Sequence, residues 1–217
     1  MSASSAYYLN WTIPVVAGSA VAGTLFSTQP VLFLTDVYGD AEAGAGVVLY
    51  LYSDSYCTSS AGGVGLAGDS VATNSSGYAV FSAFEATTAG SYYVQAKMAS
   101  VNSSCSTYAL SVTAATPSVV VYTTQPGGSV SAGSVFTTQP VVNVQDAYGN
   151  VVSGSSVGLT AFTNAACTTA GLGSLTNTPQ TTLSTGSFAF SAVSYDRAQT
   201  IYIKAVAGID LDDVRNC

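Results

Sequence analysis

The sequence predicts an all-β protein built from two tandem β-sandwich domains, and three observations lead to this prediction. A segment of seventeen residues beginning at Thr24 recurs 110 residues later, beginning at Ser134, with eight identical positions and no gap. Short runs rich in Val, Tyr, Phe and Thr alternate apolar and polar residues between Gly, Pro, Asn and Ser clusters, which is typical of half-buried strands. Four cysteines are spaced so that each copy of the repeat can close its own loop.

The repeat sets the domain organisation. Residues 77–81 correspond to residues 186–190, and Cys57 corresponds to Cys167. A period of 110 in a chain of 217 residues gives two units, each of the usual size of a domain with a single core. We therefore place the domains at 1–115 and 116–217.

The alternating pattern predicts strands throughout and no helix. In the first domain we expect strands at about 8–13, 31–36, 47–52, 78–84, 91–98 and 107–113. In the second domain we expect them at about 118–123, 140–146, 157–162, 187–193 and 200–206.

Charge and hydropathy exclude several classes of partner. Charged residues make up 7% of the chain, the net charge is −7 and there is no histidine. Nucleic acid and anionic membrane surfaces both need clustered Lys or Arg, which this chain lacks. The most apolar stretch, residues 7–26, is interrupted by polar residues and proline and is too poor a span to cross a membrane.

The cysteines indicate an oxidising compartment. Because the repeat aligns the cysteines in pairs, we expect disulfides Cys57–Cys105 and Cys167–Cys217, which close loops of similar length. Such bonds place the protein outside the cell or at its surface. Four reduced, buried thiols are the alternative. We expect no metal site, since there is no histidine and no close cysteine pair.

Three sequons for N-linked glycosylation agree with export. They begin at Asn10, Asn74 and Asn102. Glycans, covalent or bound, are therefore candidate partners.

A second recurring motif is an acidic turn. Residues 36–40 and 146–150 each follow a predicted strand and place Asp first and Gly fourth. The carboxylate of Asp36 or Asp146 can accept backbone N–H groups while the glycine takes a positive φ. We interpret both motifs as structural turns. A calcium site at Asp36, Asp40, Asp146 and neighbouring residues is the alternative.

Residues 138–150, followed by the later Gly186-x-Phe188-x-Phe190 pattern, resemble the bacterial immunoglobulin-like repeats of invasin-like adhesins and large surface proteins. Both halves of the chain carry the pattern. The resemblance implies two immunoglobulin-like sandwiches and a role as a stalk, an adhesin segment or a filament subunit. The disulfide within each domain departs from most such repeats.

The two domains differ at their last strand. After Cys105 the first domain continues into a segment in which Tyr108, Leu110 and Val112 share one face, as expected for the G strand of an immunoglobulin-like sandwich. The sequence reaches only Cys217, the counterpart of Cys105. We therefore predict that the second domain lacks its G strand and presents an open groove.

The amino terminus offers a strand to fill this groove. Donated to the second domain of a neighbouring copy, it would give a head-to-tail homopolymer, similar to donor-strand assembly in fimbrial pilins. Its odd-numbered residues are all apolar: Tyr7, Leu9, Trp11, Ile13 and Val15.

Three alternatives to strand donation stay open. Residues 8–13 can be the first strand of their own domain. The chain can be part of a longer array that supplies the G strand. Residues 209–216 can fold back over the open edge.

We expect no enzymatic activity and no cofactor. There is no histidine, and the only glutamates, Glu42 and Glu85, lie in predicted loops or strand ends. The predicted function is that of a structural subunit of an extracellular or cell-surface filament. An adhesin or carbohydrate-binding stalk segment of a larger surface protein is the alternative.

Overall fold

The computed structural model describes residues 7–14, 18–99, 101–183 and 185–207, and the backbone of 211–212. The chain divides into two compact units, Met1–Thr113 and Ala114–Cys217. None of these described residues lies in a helix, so the described part of the chain has no helix that could cross a membrane.

The strands of the first unit are β1 (Tyr7–Ile13), β2 (Gly18–Val21), β3 (Val31–Asp36), β4 (Gly46–Tyr52), β5 (Leu66–Ala67), β6 (Ser70–Ala72), β7 (Tyr78–Val80), β8 (Glu85–Ala86), β9 (Gly90–Met98), β10 (Val101–Asn102) and β11 (Leu110–Thr113). Those of the second unit are β12 (Val119–Thr124), β13 (Val141–Gln145), β14 (Ser156–Phe162), β15 (Gln180–Thr181), β16 (Ser187–Ala189), β17 (Tyr202–Ala207) and β18 (Leu211–Asp212).

The first unit is an immunoglobulin-like sandwich by its strand order. One sheet has the order β1-β3-β7, and the other has the order β2-β11-β9-β4-β6. Strands β1, β3 and β7 thus hold positions A, B and E, and β4, β9 and β11 hold positions C, F and G. Strand β2 runs parallel to β11, and the other pairings within these two sheets are antiparallel.

Alternation along the central strands builds the core of the first unit. Leu32 and Leu34 on β3 are fully buried, as are Leu49 on β4 and Val94 on β9. Each such side chain stabilises the fold by roughly 1.5–3 kcal/mol through the apolar surface that it removes from water. The period-2 pattern that predicted these strands is therefore the pattern that fills the space between the sheets.

The second unit repeats this arrangement. Its sheets have the orders β12-β13-β16 and β15-β14-β17-β18. Val142 and Val144 on β13 lie in one cluster with Val157 on β14 and Ala205 on β17, and all four are fully buried. Strands β12, β13 and β16 hold positions A, B and E, and β14 and β17 hold positions C and F.

Two predicted strands end earlier than expected. Strands β7 and β16 stop at Val80 and Ala189, although the alternation continues to residues 84 and 193. The next residues, Phe81 and Phe190, donate their N–H groups to the carbonyls of prolines 30 and 140 at 3.1 and 2.9 Å. Beyond this point the chain leaves the ladder, and a side chain accepts the N–H groups of Phe84 and Val193.

That side chain is the glutamine of the repeated Thr-Gln-Pro motif. In the first unit, Gln29 Oε1 accepts the N–H of Phe84 at 2.7 Å, and its Nε2 donates to the carbonyls of Phe26 and Phe84. In the second unit, Gln139 Oε1 accepts the N–H of Val193 at 2.8 Å. Each glutamine thus replaces a missing strand neighbour, which accounts for its presence in both copies of the repeat.

We predict that Gln29→Ala and Gln139→Ala each lower the free energy of unfolding of their own unit by about 1–3 kcal/mol, because each leaves buried backbone groups unpaired. Urea unfolding measures the change. The single tryptophan, Trp11, reports on the first unit, and circular dichroism reports on both. The control is Gln180→Ala, which removes only one exposed bond of 3.3 Å and should cost under about 0.5 kcal/mol. Equal losses in all three variants would contradict the role of the motif.

The acidic motifs form the expected turns. Asp36 Oδ1 accepts the N–H groups of Tyr38 and Asp40 at 2.8 and 3.0 Å, and Asp146 Oδ1 accepts those of Tyr148 and Asn150 at 2.9 and 2.8 Å. The glycines at the fourth position have φ values of 87° and 85°. The described residues hold no group of three acidic or cysteine side chains that could bind a metal ion.

Asp146 has a further role in the second unit. Its Oδ2 accepts the N–H of Ala115 and the amide of Asn150, both at 2.8 Å, so the carboxylate holds the start of the unit against the turn. Burial raises the pKa of Asp146, but the hydrogen bonds from Asn150, Ala115 and Tyr148 outweigh it and lower the pKa below the ordinary value of 3.8.

A lowered pKa in the folded state means that the unfolded chain takes up a proton first on acidification. Asp146 therefore stabilises the second unit above about pH 4, and this stabilisation is lost as the pH falls through the lowered value. We predict that Asp146→Asn reduces the free energy of unfolding at pH 7 by about 2 kcal/mol, because the new amide cannot accept the bonds made to Oδ2. It should also flatten the acid limb of a stability–pH profile.

Asp36→Asn is the matched control, because its amide keeps an oxygen for both turn N–H groups. Its effect at pH 7 should be smaller. An unchanged acid limb in Asp146→Asn would contradict the assigned role.

Candidate functional site

The disulfide Cys57–Cys105 is confirmed, with its Cα atoms 5.7 Å apart. Cys167 is also disulfide-bonded, and its predicted partner Cys217 lies outside the described residues. Cys105 fixes the start of the segment that follows β10 and leads to β11. The bond therefore ties the connection between the F and G positions to the loop after β4.

In the first unit this connection covers the outer edge of β9. The N–H groups of Ser103 and Ser106 donate to the carbonyls of Ala96 and Val94, both at 2.8 Å. The hydroxyl oxygens of the same serines accept the N–H groups of Ala96 and Val94 at 2.9 Å. Strand β11 then pairs with residues 90–92. The edge is therefore paired along most of its length.

Strand β11 closes the sandwich as well as the edge. Leu110 and Val112 point into the core and are 2% and 4% exposed. On its other side β11 pairs in parallel with β2, from Leu110 opposite Gly18 to Thr113 opposite Val21. One short strand thus joins β2 to β9 and fills the space between them.

Among the described residues, strand pairing on the same edge of the second unit is seen only at one end. Strand β18 pairs with Val206 and Ala207, as β10 pairs with the end of β9. The fold-back of residues 209–216, one of the alternatives to strand donation, is thus seen at 211–212, and the rest of that segment lies outside the described residues. Within the described part of the chain, no strand pairs with residues 199–203 on this side. We call residues 199–203 the open edge.

A groove lies where β11 would be. One hollow of about 150 Å³ is bounded by Gly128, Phe136 and Ile203, and an adjoining hollow of about 250 Å³ extends along Ser131 and Thr200. Both are lined by Gly128, Phe136 and Ile201, and we call the two hollows together the G groove. The counterpart of β2, residues 128–131, forms no strand. This is expected, since β2 depends on β11 for its pairing.

A tyrosine partly satisfies the open edge. The hydroxyl of Tyr122 on β12 donates to the carbonyl of Ile203 at 3.1 Å. In the first unit the corresponding carbonyl, that of Val94, accepts the N–H of Ser106. Trp11, at the position of Tyr122, instead donates its Nε1–H to the carbonyl of Ser104 at 2.9 Å. In each unit, the side chain at this position therefore donates a hydrogen bond to a backbone carbonyl on the F strand or beside it.

The residues predicted as a donor strand lie in the first unit. Strand β1 pairs with β3 from Tyr7 opposite Asp36 to Ile13 opposite Val31. Leu9 is buried in the core of that unit, Tyr7 and Trp11 are half-buried, and Ile13 is exposed after a bulge. Val15 lies outside the described residues.

This placement agrees with the first alternative to strand donation, and the donor role of these residues stays a prediction. The apolar face of Tyr7–Ile13 already covers the first unit, so the strand is not available to a neighbour unless it leaves β3. The missing G strand of the second unit stays a prediction, and the sequence did not predict which residues line the G groove. Phe136 was the signal that could have identified this lining, because the repeat aligns it with Phe26.

All three sequon asparagines are exposed and lie in the first unit. Asn10 is on β1 and Asn102 is on β10. Asn74 is in a turn, where its side-chain oxygen accepts the N–H groups of Ser76 and Tyr78 at 2.9 and 3.0 Å. All three asparagines are therefore accessible to solvent, as attachment of a glycan requires.

Comparison with known proteins returns no matching family model and no matching curated protein. The chain is similar in structure to the Yersinia pseudotuberculosis adhesin InvE, at 14% identity over 93% of this chain and 55% of that one, with a TM-score of 0.35. It is also similar to invasin, described as a bacterial integrin-binding protein, at 14% identity over 97% of this chain and 38% of that one, with a TM-score of 0.37. Fibronectin(III)-like modules of Clostridium thermocellum CbhA match at 12% identity over 94% of this chain and 87% of those, with a TM-score of 0.24.

The chain spans about half of the InvE structure and less than half of the invasin structure. Likeness at these scores carries no functional argument. The immunoglobulin-like assignment rests on the strand order of the first unit and on its repetition in the second.

Proposed function

We propose that this chain is a non-catalytic structural segment of an extracellular assembly, and that its second unit accepts a β-strand from a neighbouring copy in head-to-tail fashion. The observation that supports this is the G groove, which lies beside residues 199–203, where the described residues provide no strand partner on one side. An open edge beside a hollow lined by Phe136, Ile201 and Ile203 favours strand addition, because backbone groups and apolar side chains are satisfied together.

The first unit shows what the incoming strand must provide. Strand β11 buries Leu110 and Val112 and turns Ser111 and Thr113 outward. The occupant of the G groove should therefore carry two apolar side chains of Leu or Val size at alternate positions, with small polar residues between them. It should run antiparallel to the open edge, as β11 does to β9.

Export is supported by composition and by the disulfide. The bond between Cys57 and Cys105 is stable in an oxidising compartment and rare in the cytosol. Only 7% of the residues are charged, so the surface is covered mainly by Ser, Thr, Asn, Gln and Tyr. A head-to-tail contact through the G groove is heterologous, and repetition of such a contact extends a filament unless rotation closes a ring.

Peptide binding to the full chain, produced without glycans, tests the proposal. One labelled peptide comprises residues 106–114, and the other comprises residues 7–15. We expect the first peptide to bind, because it reproduces the strand that fills this position in the first unit. Binding of the second peptide would support donation by the amino-terminal strand. Fluorescence anisotropy measures both affinities.

A pair of variants locates the binding site. Ile201→Asp places a charge in the G groove and should weaken binding of the 106–114 peptide about tenfold or more, since a carboxylate in place of an apolar side chain would be buried under the strand. The control, Leu172→Asp, makes the same substitution at a side chain that is 76% exposed and outside the groove, and should leave the affinity unchanged. Failure of both peptides to bind, or equal binding to both variants, would overturn the proposal.

A second candidate function is that of an adhesin or carbohydrate-binding stalk segment. It is supported by Tyr38 and Tyr56, which are 82% and 83% exposed at turns of the first unit. Exposed rings can stack on sugar faces. Monodisperse particles in negative-stain microscopy that also bind a glycan array would favour this function, whereas regular fibres would favour assembly.

A further inference from the structure

We propose that Asn10 carries an N-linked glycan whose first sugars pack against the rings of Phe33 and Tyr78. The inference rests on the exported location in the proposed function but not on strand addition. It concerns the outer face of the β1-β3-β7 sheet in the first unit, which we call the ring face and which comprises Asn10, Phe33 and Tyr78.

The register of the sheet places the three residues in one row. Asn10 on β1 stands opposite Phe33 on β3, and Phe33 stands opposite Tyr78 on β7. Directly opposed side chains on one face have Cβ atoms about 4.5–5.5 Å apart. The neighbouring residues Leu9 and Leu32 are buried, so Asn10 and Phe33 both point outward.

The two rings form a stacked pair beside the sequon. Their centroids are 4.8 Å apart and their planes differ by 30°, so one face of each ring packs against the other ring. Both residues are half-buried, so part of each ring meets solvent. The C–H groups of a pyranose carry partial positive charge and are attracted to the negative face of an aromatic ring. A sugar that covers the rings also removes apolar surface from water.

The other sequons lack this arrangement. Asn102 stands opposite Lys97. The side-chain oxygen of Asn74 is engaged in its own turn. The second unit offers an internal comparison, because the corresponding row consists of Val121, Asn143 and Ser187. That row has neither a ring nor a sequon, so the aromatic pair occurs in the unit that carries the glycan acceptor.

The modification follows ordinary N-glycosylation chemistry. Asn10 Nδ2 forms a bond to the anomeric carbon of an oligosaccharide carried on a polyprenyl pyrophosphate. The bond from that carbon to the phosphate oxygen breaks, the lipid pyrophosphate leaves, and Nδ2 loses one proton. Thr12 supplies the hydroxyl residue of the sequon.

The test uses the full chain secreted from a yeast that performs N-glycosylation, with an added export signal. Glycopeptide mass spectrometry should show occupancy at Asn10. Enzymatic removal of the glycan should lower the melting temperature of the first unit by roughly 3–8 °C, as expected for loss of one aromatic contact in a domain of this size. Protons of the first sugar should show upfield ring-current shifts in NMR spectra.

The control is the same treatment of Phe33→Thr/Tyr78→Thr, in which removal of the glycan should change the melting temperature by less than about 1 °C. Thr12→Ala, which abolishes the sequon and keeps both rings, should melt like the deglycosylated protein. If the double variant fails to fold, the ring-current shifts in the unmodified sequence still decide the question. An unoccupied Asn10, or an occupied Asn10 with unshifted sugar protons, would overturn the inference. Neither result bears on the G groove, which is tested without glycans.

Discussion

Pairing along the outer edge of the F strand is the interaction on which the rest of this structure depends. In the first unit, β11 pairs with β9 and β2 and places Leu110 and Val112 in the core. Its presence therefore determines whether β2 is a strand and whether the sandwich is closed. In the second unit the described residues leave this position open, and the counterpart of β2 is irregular. Both differences therefore concern the same position, the one that β11 holds in the first unit.

The repeat makes the comparison unusually direct, because each unit serves as the reference for the other. The same glutamine brace and the same acidic turn occur in both, at Gln29 and Gln139 and at Asp36 and Asp146. These local features are therefore common to both sandwiches. The two units differ on their surfaces. The second unit has a groove beside β17, and the first unit has the aromatic pair Phe33 and Tyr78 beside a sequon. Function is therefore expected at the positions where the copies diverge.

Much of this fold was predictable from local sequence, and the rest depends on distant contacts. Strand β3 was predicted at its observed bounds because alternation and burial act residue by residue. Strand β2 was missed, since four residues of Gly, Ser, Ala and Val form a strand only through pairing with β11, some ninety residues away. The role of Gln29 was likewise invisible, because its partner Phe84 is 55 residues away. The ring face required the register of three strands.

Hydrogen exchange tests the central claim most directly, since it reports on backbone pairing at the two F strands in one molecule. The account predicts that amides in residues 199–203 exchange much faster than those in residues 90–94, and that the 106–114 peptide slows the former without affecting the latter. Equal protection of both segments in the unliganded chain would contradict the account, because it would mean that the open edge is already covered.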